Sequence, residues 1–261
     1  MPSEISIAKL NNVALITLNR PQNGNALTST MTDELIGVFQ ELAVDTSIRV
    51  IIITGSGKFF CTGLDLSTGQ SPTDLDAMIL KGMRLFEIIK SSKKPVIAQI
   101  NGPALGGGVG LVFTADVRIM IRQSYFRLPE VKRGLIPAII SQYIVPEIGT
   151  FKANQYMLTG EKVSSEEALR GNFITCVVDD HRQLEEKVKI YVNELISSAP
   201  NAMASIKKLV SVVGSGASEL EKTDHVKKVF VEMMRSEEAA YGIQAFSRKE
   251  TPDWSKFNSK L

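Results

Sequence analysis

Histidine, cysteine and tryptophan are scarce in this chain of 261 residues, which holds two, two and one of them respectively. Each scarcity excludes something. Cys61 and Cys176 stand far apart, without the spacing of a zinc or disulfide framework, and read as reduced thiols. His181 and His225 are isolated, with no acidic or cysteine partner at ligand spacing, so metal catalysis has no anchor and both are assigned to solvated surface. A charge excess of one sign is also missing. Thirty basic residues against 28 acidic ones leave a net charge of +2, too little to gather nucleic acid or an anionic membrane, so an anionic ligand must be recognised locally. Lys207-Lys208 and Lys227-Lys228 read as solvated helix faces.

No apolar run approaches membrane-spanning length, and the N-terminal MPSEISIAK lacks a basic segment followed by an apolar stretch, so neither a span nor a secretory signal is expected. Low-complexity tracts and sequence repeats are absent. No Gly-x-Ser-x-Gly elbow supports serine hydrolase chemistry. The terminal Ser259-Lys260-Leu261 reads as a peroxisomal import address, with an import receptor as partner, if the source is eukaryotic. In a bacterial protein of the cytoplasm it carries no meaning.

What is present is the composition of an ordinary globular protein, 44% hydrophobic and 22% charged. VALITL at 13–18, VIIIT at 50–54 and PVIAQI at 95–100 are β-branched apolar runs, separated by helical spacing through Met31, Leu35, Val38, Phe39 and Leu42, then through Leu75, Met78, Ile79, Met83, Phe86 and Ile89. This alternation predicts parallel strands with crossover helices. Further strands are expected at 117–121 and 124–128. From Ser164, which offers a capping box with Glu167, the pattern turns helical through 183–198, 201–213 and 218–248. The chain divides near residue 195 into an α/β core and a helical tail.

Five of the 19 glycines fall within residues 102–110, in Asn101-Gly-Pro-Ala-Leu-Gly-Gly-Gly-Val-Gly110, between a strand and a helix. Glycines there permit positive φ and close approach of a ligand to backbone amides, and a helix N-terminus adds unpaired N–H groups. The segment suits an anion, yet it lacks the lysine and hydroxyl of a Walker loop and does not complete the dinucleotide fingerprint. A ligand-free turn remains the alternative. A second segment, Lys58-Phe-Phe-Cys-Thr-Gly-Leu-Asp65, follows the strand at 50–54 and puts Gly63 and Leu64 in a turn.

Together these two segments resemble the paired signature of the enoyl-CoA hydratase/isomerase (crotonase) family. Leu18-Asn-Arg-Pro21, Asn25-Ala-Leu27, Arg127 to Gly134 and Leu158-Thr-Gly160 extend the resemblance over nearly the entire chain. It implies an α/β fold, a crotonase-like (ClpP/crotonase) spiral of β-β-α units with a C-terminal helical region, divided into a core with the active site over 1–195 and an oligomerisation region over 196–261. The implied assembly is a homotrimer or hexamer. The implied substrate is an acyl-CoA, with no separate cofactor and no metal.

By position, the N–H groups of Leu64 and Gly107 would form an oxyanion hole for the thioester oxygen, and Glu130 would be the acid/base group. Reactions beside a thioester carbonyl pass through an enolate, so fixed donors act mainly on the transition state. The resemblance also implies contacts to substrate and coenzyme A from Phe60, Gly63, Asp65, Leu66, Phe246 and Lys249, while Ser67 replaces a lysine frequent in hydratases. A second glutamate, usual two residues past the triple glycine, is here Gly110. Hydration of 2-enoyl-CoA ranks first, in part because Glu130-Val-Lys-Arg-Gly-Leu-Ile-Pro-Ala-Ile-Ile-Ser141 matches single-glutamate, 3-methylglutaconyl-CoA hydratase-like members. Isomerisation of 3-enoyl to 2-enoyl-CoA ranks second. A carrier-protein-linked dehydratase of polyketide branching and an inactive binding protein stay open. Ser141, Gln142 and Tyr143 are candidates either for positioning water or for structural hydrogen bonding.

Overall fold

In a computed structural model, the run at 50–54 forms a strand with both faces covered. The structure describes residues 3–65 and 75–260, the side chains of 75 and 258–260 apart, so Leu66, Ser67 and the Ser259-Lys260-Leu261 side chains lie outside it. Strand β3 (Val50–Gly55) turns Ile51 and Ile53 to one apolar cluster and Val50 and Ile52 to another. A strand buried on both sides reads as a continuous apolar run rather than an alternating one. Its neighbours are β2 (Val13–Leu18) and β4 (Val96–Ile100), both parallel to it. The sheet continues to β6 (Val117–Ile121) and β9 (Cys176–Val178), also parallel, while β1 (Ile5–Leu10) closes the other edge antiparallel to β2.

A second sheet joins β5 (Ala104–Leu105), β7 (Tyr125–Arg127) and β8 (Lys162–Ser164). Single parallel bridges extend its line, Cys61 pairing with Ala104 and Leu27 with Leu64. The β-β-α unit is plain in β4, β5 and α3 (Gly107–Thr114), and again in β6, β7 and α4 (Ala138–Thr159). The first strand of each pair enters the large sheet and the second enters the small one. This is the crotonase-like architecture expected.

Helices α1 (Ser29–Val44) and α2 (Leu75–Lys90) pack with α3 and α4 over one face of the large sheet. Thr28 caps α1, its side chain accepting the Met31 N–H, and Met31, Leu35, Val38, Phe39 and Leu42 form the buried stripe that the spacing predicts. The other face is covered by α6 (His181–Ile196) through Leu184, Val188 and Val192. Each such side chain contributes about 1.5–3 kcal/mol on leaving water.

The sequence pattern missed α4. It contains Pro146 and a break at Gly149, φ 75°, and it lacks a single apolar stripe. Short α5 (Ser165–Arg170) has Ser164 as its cap, but the expected reciprocal arm differs, because the Glu167 carboxylate accepts the Tyr156 hydroxyl at 2.7 Å. The tail division near 195 falls at the end of α6. Beyond it α7 (Pro200–Val213) is followed by α8 (Glu219–Met234) and α9 (Glu237–Ser247), so the single helix expected over 218–248 is two. Ser236 caps the second, its side chain accepting the Ala239 N–H at 3.0 Å, which starts a new helix rather than extending the old one.

The tail is tied to the core by polar groups. Arg49 donates to the Ser198 carbonyl, and Lys207 bonds both Asp116 and the Lys94 carbonyl. Glu238, 6% exposed, accepts the backbone N–H groups of Asn201 and Ala202 at the start of α7. His225, expected in a solvated place, instead has a buried Nε2 without a partner among the described residues.

Candidate active site

Two buried asparagines shape the first loop. Asn25, fully buried at φ 55°, donates through Nδ2 to the Ser56 and Phe59 carbonyls at 2.9 and 2.8 Å. Asn101 accepts the Gly55 N–H at 2.9 Å and donates to the Gly57 carbonyl at 3.1 Å. The chain then runs alongside residues 24–27. Leu27 N–H donates to the Gly63 carbonyl at 2.7 Å, and Asp65 N–H donates to the Leu27 carbonyl at 3.0 Å. In a planar trans peptide the carbonyl and the N–H point opposite ways. With the Gly63 carbonyl held toward Leu27, the Leu64 N–H is aimed away from it, and it has no partner among the described residues.

The second loop repeats the device at a helix start. Gly106 takes φ 50° and its carbonyl accepts the Val109 and Gly110 N–H groups at 2.9 and 3.2 Å. The Gly107 N–H therefore points back out of α3, also unpartnered among the described residues. The loops touch at Gly63, where φ is 93° and an added Cβ would lie 2.9 Å from the Leu105 oxygen and 3.0 Å from the Gly107 nitrogen. A Cβ on Gly107 would lie 3.6 Å from the Leu64 nitrogen. The two free amides are neighbours because glycine lets the backbones meet.

Glu130 opens a short 3-10 turn after β7. The segment before it is fastened by Arg127, whose Nε donates at 2.7 Å to the carbonyl of Gly160, the left-handed cap of α4. Its carboxylate lies against the second loop, with Oε1 3.0 Å from where a Gly106 Cβ would stand. Oε2 is buried and has no hydrogen-bond partner among the described residues. Burial raises the Glu130 carboxyl above the ordinary range, against smaller opposing pulls from its own amide and from Arg133. A carboxylate with one unpartnered oxygen, near two amides unpartnered among the described residues, can hold or move a proton next to an oxygen that gains charge.

The space at Gly110 is filled. A Cβ there would meet Ile140 Cγ2, stand 3.0 Å from Ile140 Cβ, and lie 2.9 Å from Phe86 Cε1. Neither residue announced this in the sequence, since the contact joins α2, α3 and α4. Ser141 and Gln142, candidates for holding water, donate to the Ala138 and Ile139 carbonyls of their own helix, and Tyr143 packs on Phe86 with ring centroids 5.9 Å apart.

The remaining expected ligand contacts separate. Phe60 is fully buried in the core, so its side chain forms no wall of an open groove and its backbone is what the loop uses. The Asp65 carboxylate bonds the Arg20 guanidinium at 3.0 Å. Leu66 lies outside the described residues. Phe246 stands on α9 with 85% of its surface exposed, followed by Lys249 at φ 56°. Cys61 and Cys176 are free thiols, and burial pushes Cys61 up to about 12, far from a reactive thiolate. Among the described residues no cluster of histidine, cysteine, aspartate or glutamate suits a metal ion, and no helix is long and apolar enough to cross a membrane. A cavity of about 590 Å³ between α2 and α7, lined by Lys93, Tyr143, Lys207 and Lys208 among others, includes none of Leu64, Gly107 or Glu130.

Known proteins resemble this chain in sequence and in fold. An enoyl-CoA hydratase from Alternaria alternata is 36% identical over 232 residues, covering 88% of this chain and 77% of its own. A probable enoyl-CoA hydratase of Bacillus subtilis is 34% identical, covering 96% of this chain and 98% of its own. The crystal structure of an enoyl-CoA hydratase from Shewanella pealeana superposes with a TM-score of 0.91 at 30% identity, over 96% of each chain. The sequence profile described as Enoyl-CoA hydratase/isomerase matches residues 8–257, so the chain belongs to the enoyl-CoA hydratase/isomerase family and has its crotonase fold.

Proposed function

We propose that the protein is an enoyl-CoA hydratase that adds water across the double bond of a 2-enoyl-CoA thioester. The observation that carries this reading is the Glu130 carboxylate set against the second loop, with its Oε2 buried and the Leu64 and Gly107 amides nearby, all three without a partner among the described residues. The amides receive the thioester oxygen as it becomes an enolate oxygen, and Glu130 moves the proton between water and the acyl chain. Burial keeps its carboxyl ready to bind a proton. The hydratases among the relatives support this choice of reaction.

One observation favours 3-enoyl to 2-enoyl-CoA isomerisation as a second reading. Ile140 and Phe86 occupy the space beside Gly110, so no carboxylate faces Glu130 from that position. Moving one proton between two carbons of the same ligand needs only one. The tail supplies a further part of the reading, because Phe230, Met234 and Phe246 expose apolar surface suited to a homotrimer or hexamer.

The deciding experiment offers the purified protein 2-enoyl-, 3-enoyl- and 3-methylglutaconyl-CoA in parallel and identifies the products. A 3-hydroxyacyl-CoA establishes hydration, and a shifted double bond without added water establishes isomerisation. Glu130→Gln is expected to lower turnover by about 10²–10⁴ with acyl-CoA binding retained. Full activity in that variant removes Glu130 from the mechanism.

A further inference from the structure

The Arg20 guanidinium bonds Ala26, Asp65 and Glu4 rather than Glu130 or the two amides, yet it ends a chain of contacts that leads to the Leu64 amide. The residue is 19% exposed at its side chain and lies between β2 and α1. One nitrogen, Nη1, donates both to the Ala26 carbonyl at 2.8 Å and to Asp65 Oδ2 at 3.0 Å. Its Nε stands 3.3 Å from Glu4 Oε1, and Glu4 in turn accepts the hydroxyl of Thr28, the cap of α1. The backbone N–H of Arg20 is fixed as well, donating to Asn25 Oδ1 at 2.9 Å.

Peptide planarity converts these contacts into an aim. The Ala26 carbonyl and the Leu27 N–H belong to one rigid unit and point opposite ways. Held by Arg20, the carbonyl directs the Leu27 N–H to the Gly63 carbonyl, which it bonds at 2.7 Å. The Gly63 carbonyl and the Leu64 N–H form the next unit, so the same rule directs the Leu64 N–H into the site. Asp65, immediately beyond, returns to the same Arg20 nitrogen and closes the loop.

We propose that Arg20 is a positioning residue of the oxyanion hole, setting the direction of the Leu64 amide through these two linked peptide planes. The proposal rests on the reading that the Leu64 and Gly107 amides receive the thioester oxygen. Preorganised donors act through direction as much as presence, because a tilted N–H no longer meets the oxygen where charge develops. A displacement of about 1 Å in such a group costs on the order of 10²-fold in rate.

The test uses a ligand that becomes an enolate without turnover. A 3-oxoacyl-CoA is a carbon acid whose enolate absorbs in the near ultraviolet, so titrating its complex with the intact protein reports how strongly the amides favour the oxyanion. Wild-type protein is expected to raise the enolate fraction over that of free ligand. Arg20→Ala is expected to lower the bound enolate-to-keto ratio by about 10-fold or more, with a matching fall in kcat and less than about 3-fold change in affinity for a saturated acyl-CoA. If Arg20→Ala does not fold, as judged by thermal unfolding, Arg20→Lys carries the same measurement, because an ammonium keeps the charge but not the fork. An unchanged ratio in the folded variant overturns the proposal, as does an equal loss of affinity for both ligands, which would make Arg20 a binding or folding residue. If wild-type protein itself raises no enolate, the oxyanion reading falls first and the role of Arg20 with it.

Discussion

Ile140 on α4 occupies the space that a side chain at Gly110 on α3 would enter, its Cβ 3.0 Å from the point where that side chain would begin. Gly110, where the family resemblance leads one to expect a second glutamate, therefore faces packed core. Any side chain at Gly110 forces Ile140 and Phe86 to move, since Phe86 Cε1 also lies 2.9 Å from that point.

Gly110→Ala should destabilise the protein although it improves helix propensity. Alanine gains about 1 kcal/mol over glycine in a helix interior, while overpacking a filled core costs about 1–3 kcal/mol. A net loss of up to about 2 kcal/mol is expected in urea unfolding. Gly110→Ala with Ile140→Ala should lose less than the sum of the two single variants, since the methyl enters the space that Ile140 leaves. Strict additivity would show that the two positions do not compete.

Glu130→Gln should change how stability depends on pH. Burial raises the folded-state carboxyl, so between the ordinary carboxylate range and that raised value the folded protein binds more protons than the unfolded chain. The contribution is fully present at low pH and is lost as pH rises through the folded-state value. Glutamine does not titrate. The variant should therefore gain stability relative to wild type on going from about pH 4 to about pH 8, where wild type holds a charge in a poor place. Parallel unfolding curves at the two pH values measure this, and a constant difference would mean that Glu130 is not held above its usual range.

Glu238→Ala should loosen the tail. The carboxylate accepts two backbone N–H groups at the start of α7, at 3.0 and 2.9 Å, and the Asn201 side-chain amide at 3.1 Å. Its removal leaves those donors unpaired near a helix N-terminus, at a cost of about 1–3 kcal/mol. Denaturant unfolding should show the loss, with faster proteolysis between α6 and α7. An unchanged midpoint would show that the α7 cap contributes nothing.

Much of the core was legible because its signals are local. The run at 50–54 is apolar throughout since β3 is covered on both faces, and the stripe from Met31 to Leu42 has the period of the helix it forms. The glycines at 63 and 106 marked left-handed turns, and those turns are where the two loops meet. By contrast, α4 was hidden by Pro146, Gly149 and the lack of one apolar face. The break at Arg235 and Ser236 was hidden by apolar residues on both sides of it.

Sequence alone determined the alternation of strand and helix from β2 to β4, the family, and the three residues that the structure brings near one another, because periodicity, glycine placement and ordered motifs are written along the chain. Tertiary structure alone decided that Phe60 is core, that Ile140 fills the place beside Gly110, and that Arg20 reaches both Ala26 and Asp65. These are contacts between segments distant in the chain, and no local pattern encodes which side chain arrives to fill a space or hold a carbonyl. The direction of the Leu64 amide is of that kind: the residue needs no special side chain, and its N–H is aimed by bonds made at Leu27 and Arg20.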